Sequence, residues 1–361
     1  MTDSLLAIVS PAFTVDGELS RDLGRDCLRL EIEEGIDGLR TLQAHFVAVG
    51  AGATGPQQQM LYLDGTVLDF GKPIKVAMGP DDGQRTVFDG VISALEVVYA
   101  DSEPPRVMVL AEDALMRLRM TRRMRSYTNV TDADVAQQLA SEHGLQTDIN
   151  ADGPRYDVVQ QLNQSDLAFL RERARLIQAE LWCTERTLHF STRPNRTGTA
   201  LTLVQGNQLL RARLRADLAH QRSSVLVAGY DASAKQVINE TADAGAVEAE
   251  ASTGRTGARI VEQALGASAS IRVRDVALTT GEASAWAKAE MLRRGRQFVT
   301  VAGLTRGSPE MVVGSLLRLE DVGPPFEGDG YYVTRVRHTY DTAVGLRTNF
   351  DAERATVNEV A

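Results

Sequence analysis

Apolar and polar residues alternate along the first third of the chain, in short runs that turn residues separate. The alternation is clearest between residues 27 and 33, where Leu30 and Ile32 lie between charged side chains. A period of two places every second side chain on the same face of an extended strand, so that one face can be buried. Turn dipeptides such as Asp16-Gly17 divide several such strands at close spacing. The pattern predicts a small β-barrel or sandwich.

The hydrophobic period becomes helical in the second part of the chain. Thr131 followed by Asp134 is typical of a helix N-terminus, and Gly144 is typical of a C-terminal stop. A second amphipathic helix begins at Ser165, and the strand-like residues around Trp182 then predict a hairpin. Two helices followed by a hairpin form a compact α+β insert.

The rear part of the chain returns to the β-rich pattern after a segment of different composition. Residues 240–270 are dense in Ala, Gly, Glu, Ser and Thr and contain no aromatic residue, which predicts an exposed, partly flexible linker. Thr279 and Glu282 then cap a helix that carries Trp286, and further strands follow. We therefore predict an α+β, β-rich fold with two similar small β-barrel domains and an α+β insert between them. The predicted boundaries are 1–115 for the first barrel, completed by 205–232, then 116–204 for the insert, 233–270 for the flexible linker and 271–361 for the second barrel.

Composition and charge narrow the function classes. The chain has 361 residues, enough for about two or three domains that each bury a core. Lys and Arg number 39 and Asp and Glu number 48, so the formal charge is −9. Specific nucleic-acid binding is not expected, because phosphate backbones need a clustered positive surface. Cys27 and Cys183 are too few for a disulfide framework or a four-thiolate zinc site, and they favour folding in a reducing cytoplasm.

Targeting and membrane signals are weak. The N-terminal apolar run follows no basic residue and is broken at Pro11, which is too early for a signal peptide. No stretch approaches the ~20 apolar residues that a membrane helix requires. We therefore expect synthesis without a signal peptide and no membrane insertion.

Two glycine-rich stretches resemble nucleotide-binding loops, and neither fits. Gly50 to Gly55 spells the dinucleotide fingerprint, but a strand-like segment follows where a helix should begin, so we predict a hairpin tip. The stretch from Gly65 to Lys72 is one residue too long for a phosphate loop, and Pro73 occupies the position of the metal-binding hydroxyl. None of the five histidines has a His or Cys at metal-ligand spacing. We expect no enzyme activity, and no catalytic, cofactor or metal site.

Two groups of arginines are candidate interface residues. The densest positive run comprises Arg117, Arg119, Arg122, Arg123 and Arg125. It is typical either of a contact with an acidic protein partner or of a solvated connection between the first β-unit and the insert, and we favour the connection. Arg211, Arg213 and Arg215 alternate along a predicted strand and therefore share one face, which suits a subunit interface at least as well as solvent.

A resemblance to a known family goes further than these patterns. Residues 159–172 read Val-Gln-Gln-Leu-Asn-Gln-Ser-Asp-Leu-Ala-Phe-Leu-Arg-Glu, and 179–182 read Ala-Glu-Leu-Trp. Together they resemble the signature of the phage late control D family, which comprises baseplate hub proteins similar to the N-terminal part of VgrG and to the hubs of contractile injection systems. Segments 88–92, 126–136, 328–338 and 346–350 resemble the same family, in order along the chain. The structural motif residues are Asn163, Ser165, Asp166, Leu167, Phe169, Leu170 and Trp182, which cap, bury or anchor rather than catalyse.

The resemblance implies a structural hub in the baseplate of a contractile phage tail or phage-like injection system. Such a hub is a homotrimer whose two barrels per subunit present six units, which join a six-fold tail tube to a three-fold spike. The implied partners are the chain itself, the tail tube protein and a spike protein, with the tape-measure protein and the baseplate wedge as further candidates. Because the chain ends at Ala361, we expect the spike to be a separate protein. Synthesis is expected in the bacterial cytoplasm, with assembly into a virion or injection particle.

Two alternatives remain at this point. One is a baseplate-associated peptidoglycan hydrolase, because lysozyme-like domains are found in the same assemblies, although the resemblance leaves little of the chain for a catalytic domain. The other is a soluble adaptor that loads effectors without entering the particle.

Overall fold

The computed structural model describes residues 10–52, 55–79, 83–251 and 253–359. Its strands are β1 (Ala12–Val15), β2 (Glu18–Ser20), β3 (Cys27–Gly35), β4 (Thr41–Val47), β5 (Val49–Gly52), β6 (Gly55–Met60), β7 (Pro73–Met78), β8 (Arg85–Ala100), β9 (Glu103–Glu112), β10 (Arg122–Val130), β11 (Gln146–Asn150), β12 (Tyr156–Ser165), β13 (Ala179–Thr184), β14 (Thr187–Thr192), β15 (Ala200–Val204), β16 (Leu209–Ala216), β17 (Ser224–Asp231), β18 (Gln236–Asp243), β19 (Arg255–Thr256), β20 (Ala269–Ala277), β21 (Val299–Thr305), β22 (Leu316–Glu320), β23 (Gly328–Asp341), β24 (Gly345–Arg354) and β25 (Thr356–Val357). The helices are α1 (Arg21–Asp26), α2 (Met116–Met120), α3 (Asp132–Glu142), α4 (Asp166–Ile177), α5 (Ala244–Glu248), α6 (Gly257–Leu265) and α7 (Thr280–Arg296), with a 3₁₀ turn at Arg193–Asn195.

One large sheet, here called the main sheet, runs through the front and rear parts of the chain. Its strand order is β16-β21-β24-β23-β3-β4-β9-β8-β7-β1-β2. In addition, β22 pairs with β23, and β15 pairs with β22. The front and rear parts meet where β3 pairs antiparallel with β23, from Gly35 opposite Arg335 to Arg29 opposite Asp341. We call this strand pair the seam. The two β-units are therefore parts of one continuous sheet.

Each β-unit has its own hydrophobic core. The front core is built around Phe13, Phe46 and Phe88, and the rear core around Tyr331 and Phe350. The β-rich α+β class predicted from the sequence is confirmed. The ends of the main sheet, β16 and β2, pair with no further strand of that sheet within the described residues, so closure of each unit into a barrel stays a prediction.

The insert follows from local signals in the sequence. Thr131 accepts a hydrogen bond from the backbone of Asp134 at 3.1 Å, and the Asp134 side chain accepts one from the Thr131 backbone at 2.9 Å, so the predicted capping box of α3 is confirmed. The apolar stripes of α3 and α4 pack against the ribbon of β10 and β12 and against the sheet of β11, β13 and β14. Gln178 ends α4 in the left-handed conformation, with φ at 55°.

The segment 205–232 differs from its expected place in the first β-unit. Strand β16 pairs with β21 of the rear unit, from Leu209 opposite Thr305 to Ala216 opposite Val299. Leu209, Ala212 and Leu214 pack into the rear core, which explains the choice of partner. Strand β17 leaves the main sheet and pairs with β18 and β20.

The segment 233–270, expected as a flexible linker, contains β18, α5, β19, α6 and the start of β20. Its small residues allow close packing: Ala244, Val247 and Ala258 are buried against Met291 of α7. A Cβ at Gly295 would lie only 2.4 Å from the Val247 side chain, so the helices approach through glycine. Low aromatic content here reflects tight contact between helices rather than an exposed linker.

The stretch from Gly50 to Gly55 falls in an antiparallel pair of β5 and β6, in agreement with a hairpin. Its tip residues, 53 and 54, lie outside the described residues.

Candidate functional site

The seam carries ion pairs on its polar face. Arg337 of β23 meets Glu33 of β3 at 2.6 Å and Glu31 at 3.4 Å. Arg335 meets Glu33 across the seam at 3.6 Å. The arginine side chains are half exposed, so each pair contributes at most about 1 kcal/mol to stability. Their main effect is to fix the register between the two β-units.

A second, buried cluster joins the two β-units and the insert. We call it the buried junction; it comprises Glu34, Arg40, Glu180, Arg193, Arg196, Tyr332 and Glu353. Arg196 donates to Glu34 of β3 at 2.7 Å and to Glu180 of β13 at 3.2 Å. Arg193 donates to Glu353 of β24 at 2.6 Å, and the Tyr332 hydroxyl of β23 donates to Glu180 at 2.8 Å. One short segment, the 3₁₀ turn and the residue after it, therefore ties three parts of the fold together.

Burial and charge act in opposite directions at the buried junction. Burial acts to raise the pKa of Glu34, but Arg40 and Arg196 outweigh it and hold that pKa below its ordinary value. Burial likewise acts to lower the pKa of Arg193, and Glu353 and Glu180 outweigh it and raise that pKa. Removing one partner of a buried ion pair costs about 3–5 kcal/mol, because the remaining charge is left without compensation. The junction therefore fixes how the three parts are arranged.

Aromatic rings cover the two junction arginines. The Arg196 guanidinium lies 4.4 Å from the ring centre of Trp182, and Arg193 lies 4.0 Å from that of Tyr332. Trp182, a residue of the insert hairpin, also stacks on His189 with 4.6 Å between ring centres. It therefore connects the hairpin to the buried junction. Such cation–π contacts contribute roughly 0.5–2 kcal/mol each.

The structure places the other motif residues around the start of α4. Ser165 accepts a hydrogen bond from the backbone of Ala168 at 3.2 Å, and Asp166 is fully buried. Asp166 accepts from Arg123 at 3.0 Å and lies 2.8 Å from the His143 ring. Leu167, Phe169 and Leu170 are buried in the insert core, while Asn163 adopts a positive φ of 52° and accepts from Arg122 at 3.3 Å.

The structure divides the predicted arginine run into residues that pair with carboxylates of the chain and residues that have no such partner among the described residues. Arg119 pairs with Glu112 at 2.8 Å, Arg123 with Asp166 at 3.0 Å, and Arg125 with Glu142 at 2.7 Å. Arg122 donates only to Asn163, and Arg117 has no carboxylate at ion-pair distance within the described part of the chain.

The second arginine group lies along an open edge of the main sheet. Arg211, Arg213 and Arg215 are all exposed on β16, whose other side carries no main-sheet strand among the described residues. Arg215 pairs with Asp217, whereas Arg211 and Arg213 have no carboxylate partner in the described ranges. The register from β16 to β23 places Arg211 on the same face as Arg337. This edge is therefore basic on the polar face.

A second open edge lies within the front unit, where β8 extends beyond its partner β7. Strand β8 pairs with β7 only from Arg85 to Val91, and its remaining residues pair only with β9 within the described residues. Glu96 is exposed along this part, and the register through β9 and β4 places it on the polar face of the main sheet. The edge of β16 thus carries three arginines, and the free part of β8 carries one exposed carboxylate, Glu96.

Metal clusters and membrane-spanning helices are both absent from the described residues. No group of three or more His, Cys, Asp and Glu side chains there could hold a metal ion. No helix in the same ranges is both long and apolar enough to cross a bilayer.

Comparison with known proteins gives a family and a fold. The model of the Alg8 N-terminal domain family matches residues 47–342, which is more than half of the chain. The chain belongs to the Alg8 N-terminal domain family. None of the curated proteins matches it.

This member of the Alg8 N-terminal domain family has the fold of phage tail proteins. It is similar to the 43 kDa tail protein of prophage MuSo2 from Shewanella oneidensis, with a TM-score of 0.69 and 14% identity over 96% of this chain and 98% of that one. It is also similar to the E. coli c3393 protein, a component of the type VI secretion system that exhibits structural similarity to the T4 tail proteins gp27 and gp5, with a TM-score of 0.60 and 14% identity over 97% of this chain and 79% of that one. The Francisella PdpA–VgrG complex gives a TM-score of 0.51 and 8% identity over 98% of this chain and 53% of that one.

The predicted resemblance to phage tail hubs and to VgrG is therefore confirmed at the level of the fold. The narrower assignment to the late control D family stays a prediction. Sequence reasoning missed the buried junction, because Arg196 is 162 residues from Glu34 along the chain and no local pattern links them.

Proposed function

We propose that this chain is the structural hub of the baseplate of a contractile phage tail or a phage-like injection system. In this proposal it acts as a homotrimer and has no catalytic role. The observation that carries the proposal is the main sheet, which holds two β-units side by side and leaves two strand edges open, the basic edge of β16 and the part of β8 that carries Glu96. The tail-protein fold supports the same assignment.

Three copies of such a chain would present six β-units in one ring. The seam and the buried junction hold the two units of each copy in a fixed relation, which a ring needs if it is to have even spacing. Two units per copy would let a three-fold assembly meet a six-fold tail tube on one side and a three-fold spike on the other. A head-to-tail contact closes into a ring when its rotation divides the circle evenly.

The contact between copies is proposed to lie at the open edges. Strand β16 of one copy would pair with the free part of β8 in the next, bringing Arg211 and Arg213 close to Glu96. Unpaired strand edges invite further pairing, so a ring that uses both edges also removes a source of aggregation. Opposite charges across such a contact set its register and disfavour pairing of like edges.

The remaining partners follow from the same role. The ring would meet the tail tube protein on one side and a separate spike protein on the other, with the tape-measure protein and the baseplate wedge as further partners. The chain would be made in the bacterial cytoplasm and then assembled into the particle.

Disulfide cross-linking tests the proposed contact. The variant carrying both Arg213→Cys and Glu96→Cys should form covalent trimers on mild oxidation, whether purified or in cells that produce the particle. Background from the native thiols should be low, because Cys27 and Cys183 are buried and burial raises the pKa of each to about 12. The matched control pairs Ser233→Cys with Glu96→Cys, since Ser233 lies in an exposed turn away from β16. Absence of cross-linked trimers in both settings, or equal cross-linking in the control, would overturn the contact.

A further inference from the structure

The ribbon formed by β10 and β12 has two faces of different character. Its inner face carries Tyr127 and Val159, both buried, and Tyr127 stacks on Phe169 of α4 with 5.8 Å between ring centres. Helices α3 and α4 of the insert pack on that side. The outer face has no such layer within the described residues.

The outer face is apolar at Met124 and Leu162 and polar in its middle row, where Ser126 lies opposite Gln160. Register places Met124 opposite Leu162 and Thr128 opposite Val158. The exposed fractions are 73% for Met124, 60% for Leu162 and 51% for Val158, and Met120, just before the ribbon, is 68% exposed. Exposed apolar side chains that lie next to each other, as Met124 and Leu162 do, mark interaction sites more often than free surface. Methionine side chains, in addition, adapt to the shape of a partner.

Two arginines without a carboxylate partner lie at one end of this surface. Arg122 is on the outer face, two residues before Met124. Arg117 is on α2, one helical turn before Thr121, which follows the end of that helix. The neighbouring arginines 119, 123 and 125 are all neutralised by acids of the chain itself. The outer-face positions of the ribbon from Arg122 to Thr128 and from Val158 to Leu162 carry no carboxylate. The surface therefore combines apolar side chains at Met124, Leu162 and Val158 with a polar middle row and an uncompensated positive end.

We propose that the outer face of the ribbon binds an acidic amphipathic helix of another protein. Two adjacent strands present a width of about 10 Å, counting side chains, which matches the diameter of one helix. Exposed apolar side chains on a sheet are buried when a layer covers them, and within the described residues the insert supplies a layer on the inner face alone. Leucine-like side chains of the partner would cover Met124, Leu162 and Val158, and its carboxylates would pair with Arg117 and Arg122.

Binding of synthetic helical peptides tests this proposal. Three peptides of about 18 residues, long enough to form a helix on contact, share one framework. The first has leucine on one face and glutamate on the other, the second has lysine in place of glutamate, and the third has serine in place of leucine. Fluorescence anisotropy should show that the first binds the wild-type chain at least about tenfold more tightly than the other two, a difference of about 1.4 kcal/mol.

Matched variants locate the binding site. Arg117→Glu combined with Arg122→Glu should reverse the preference between the glutamate and lysine peptides, whereas Arg306→Glu, an exposed arginine elsewhere, should not. Leu162→Ser should weaken binding of the first peptide, whereas Leu265→Ser, at a 72% exposed leucine on α6, should leave it unchanged.

Four results would overturn the proposal. Two concern the peptides: equal binding of the glutamate and lysine peptides, and an unchanged preference in the double arginine variant. The third is tighter binding of a short DNA duplex than of any peptide. The fourth is a change in sedimentation of the chain alone on Leu162→Ser, which would indicate a second copy on this surface. The peptide experiment does not depend on trimer formation, so its failure would leave the proposed hub role intact.

Discussion

At the scale of single residues, buried ion pairs hold the parts of this fold together. Arg193 and Arg196 belong to one short turn, yet their carboxylate partners lie in β3, β13 and β24. The separation along the chain is 16 residues for Glu180 and Arg196 and 162 for Glu34 and Arg196. Sequence patterns report neighbours within one helix or strand, so such distant pairs were not predictable.

A buried histidine next to this region predicts how stability depends on pH. His338 is 5% exposed, and its ring nitrogen lies 3.0 Å from the Thr348 hydroxyl. Burial, helped by Arg40, lowers the pKa of His338 to about 4, against an unfolded value of about 6.5. The unfolded chain therefore binds the proton first as pH falls, and this histidine should cost about 3 kcal/mol of stability between pH 6.5 and 4.

Urea unfolding of the wild type and of His338→Gln across that pH range measures this effect. The difference between the two curves is needed, because burial raises the pKa of Asp113 to about 7 and gives a slope of opposite sign. His220→Gln, at an exposed position, serves as the control and should follow the wild type. A difference curve that stays flat from pH 6.5 to 4 would show that His338 does not behave as a buried neutral group.

At the scale of elements, the hydrophobic period found most strands and helices but not all of their partners. The capping box at Thr131 and the helix from Thr280 follow local rules, which the sequence displays directly. Strand β16 has the expected alternation, but its pairing with β21 depends on which core accepts Leu209 and Leu214. The Ala-rich segment after residue 240 packs on α7, where Ala244, Val247 and Ala258 are buried against Met291. Composition alone does not reveal this contact.

The register of α4 is the element-scale prediction. Leu170 is fully buried in the insert core, so Leu170→Asp places an unpaired charge there and should lower the free energy of unfolding by more than about 4 kcal/mol. Leu162→Asp makes the same chemical change at a 60% exposed position of the same insert and should shift stability by no more than about 0.5 kcal/mol. Urea titrations followed by circular dichroism compare the two. Equal stability of both variants would mean that the buried face of α4 is assigned incorrectly.

At the scale of the whole molecule, the main sheet is the feature that links sequence, fold and proposed role. The two β-units were predictable from the alternation of apolar and polar residues and from the turns between them. The segments that resemble the hub family occur in the same order along the chain. Their fusion into one sheet through the seam was not predictable, because pairing of β3 with β23 joins residues some 300 positions apart, as the Arg337–Glu33 contact shows. The fused sheet has two open edges, on β16 and on β8, and those edges carry the proposal of a ring.

A cryo-electron microscopy map of the particle tip, reconstructed without imposed symmetry, tests the central claim most directly. We expect three copies of this chain around one axis, with six β-units at even spacing between the tail tube and the spike. A map that shows a single copy, six copies, or three copies whose β-units lie outside the ring would contradict the account.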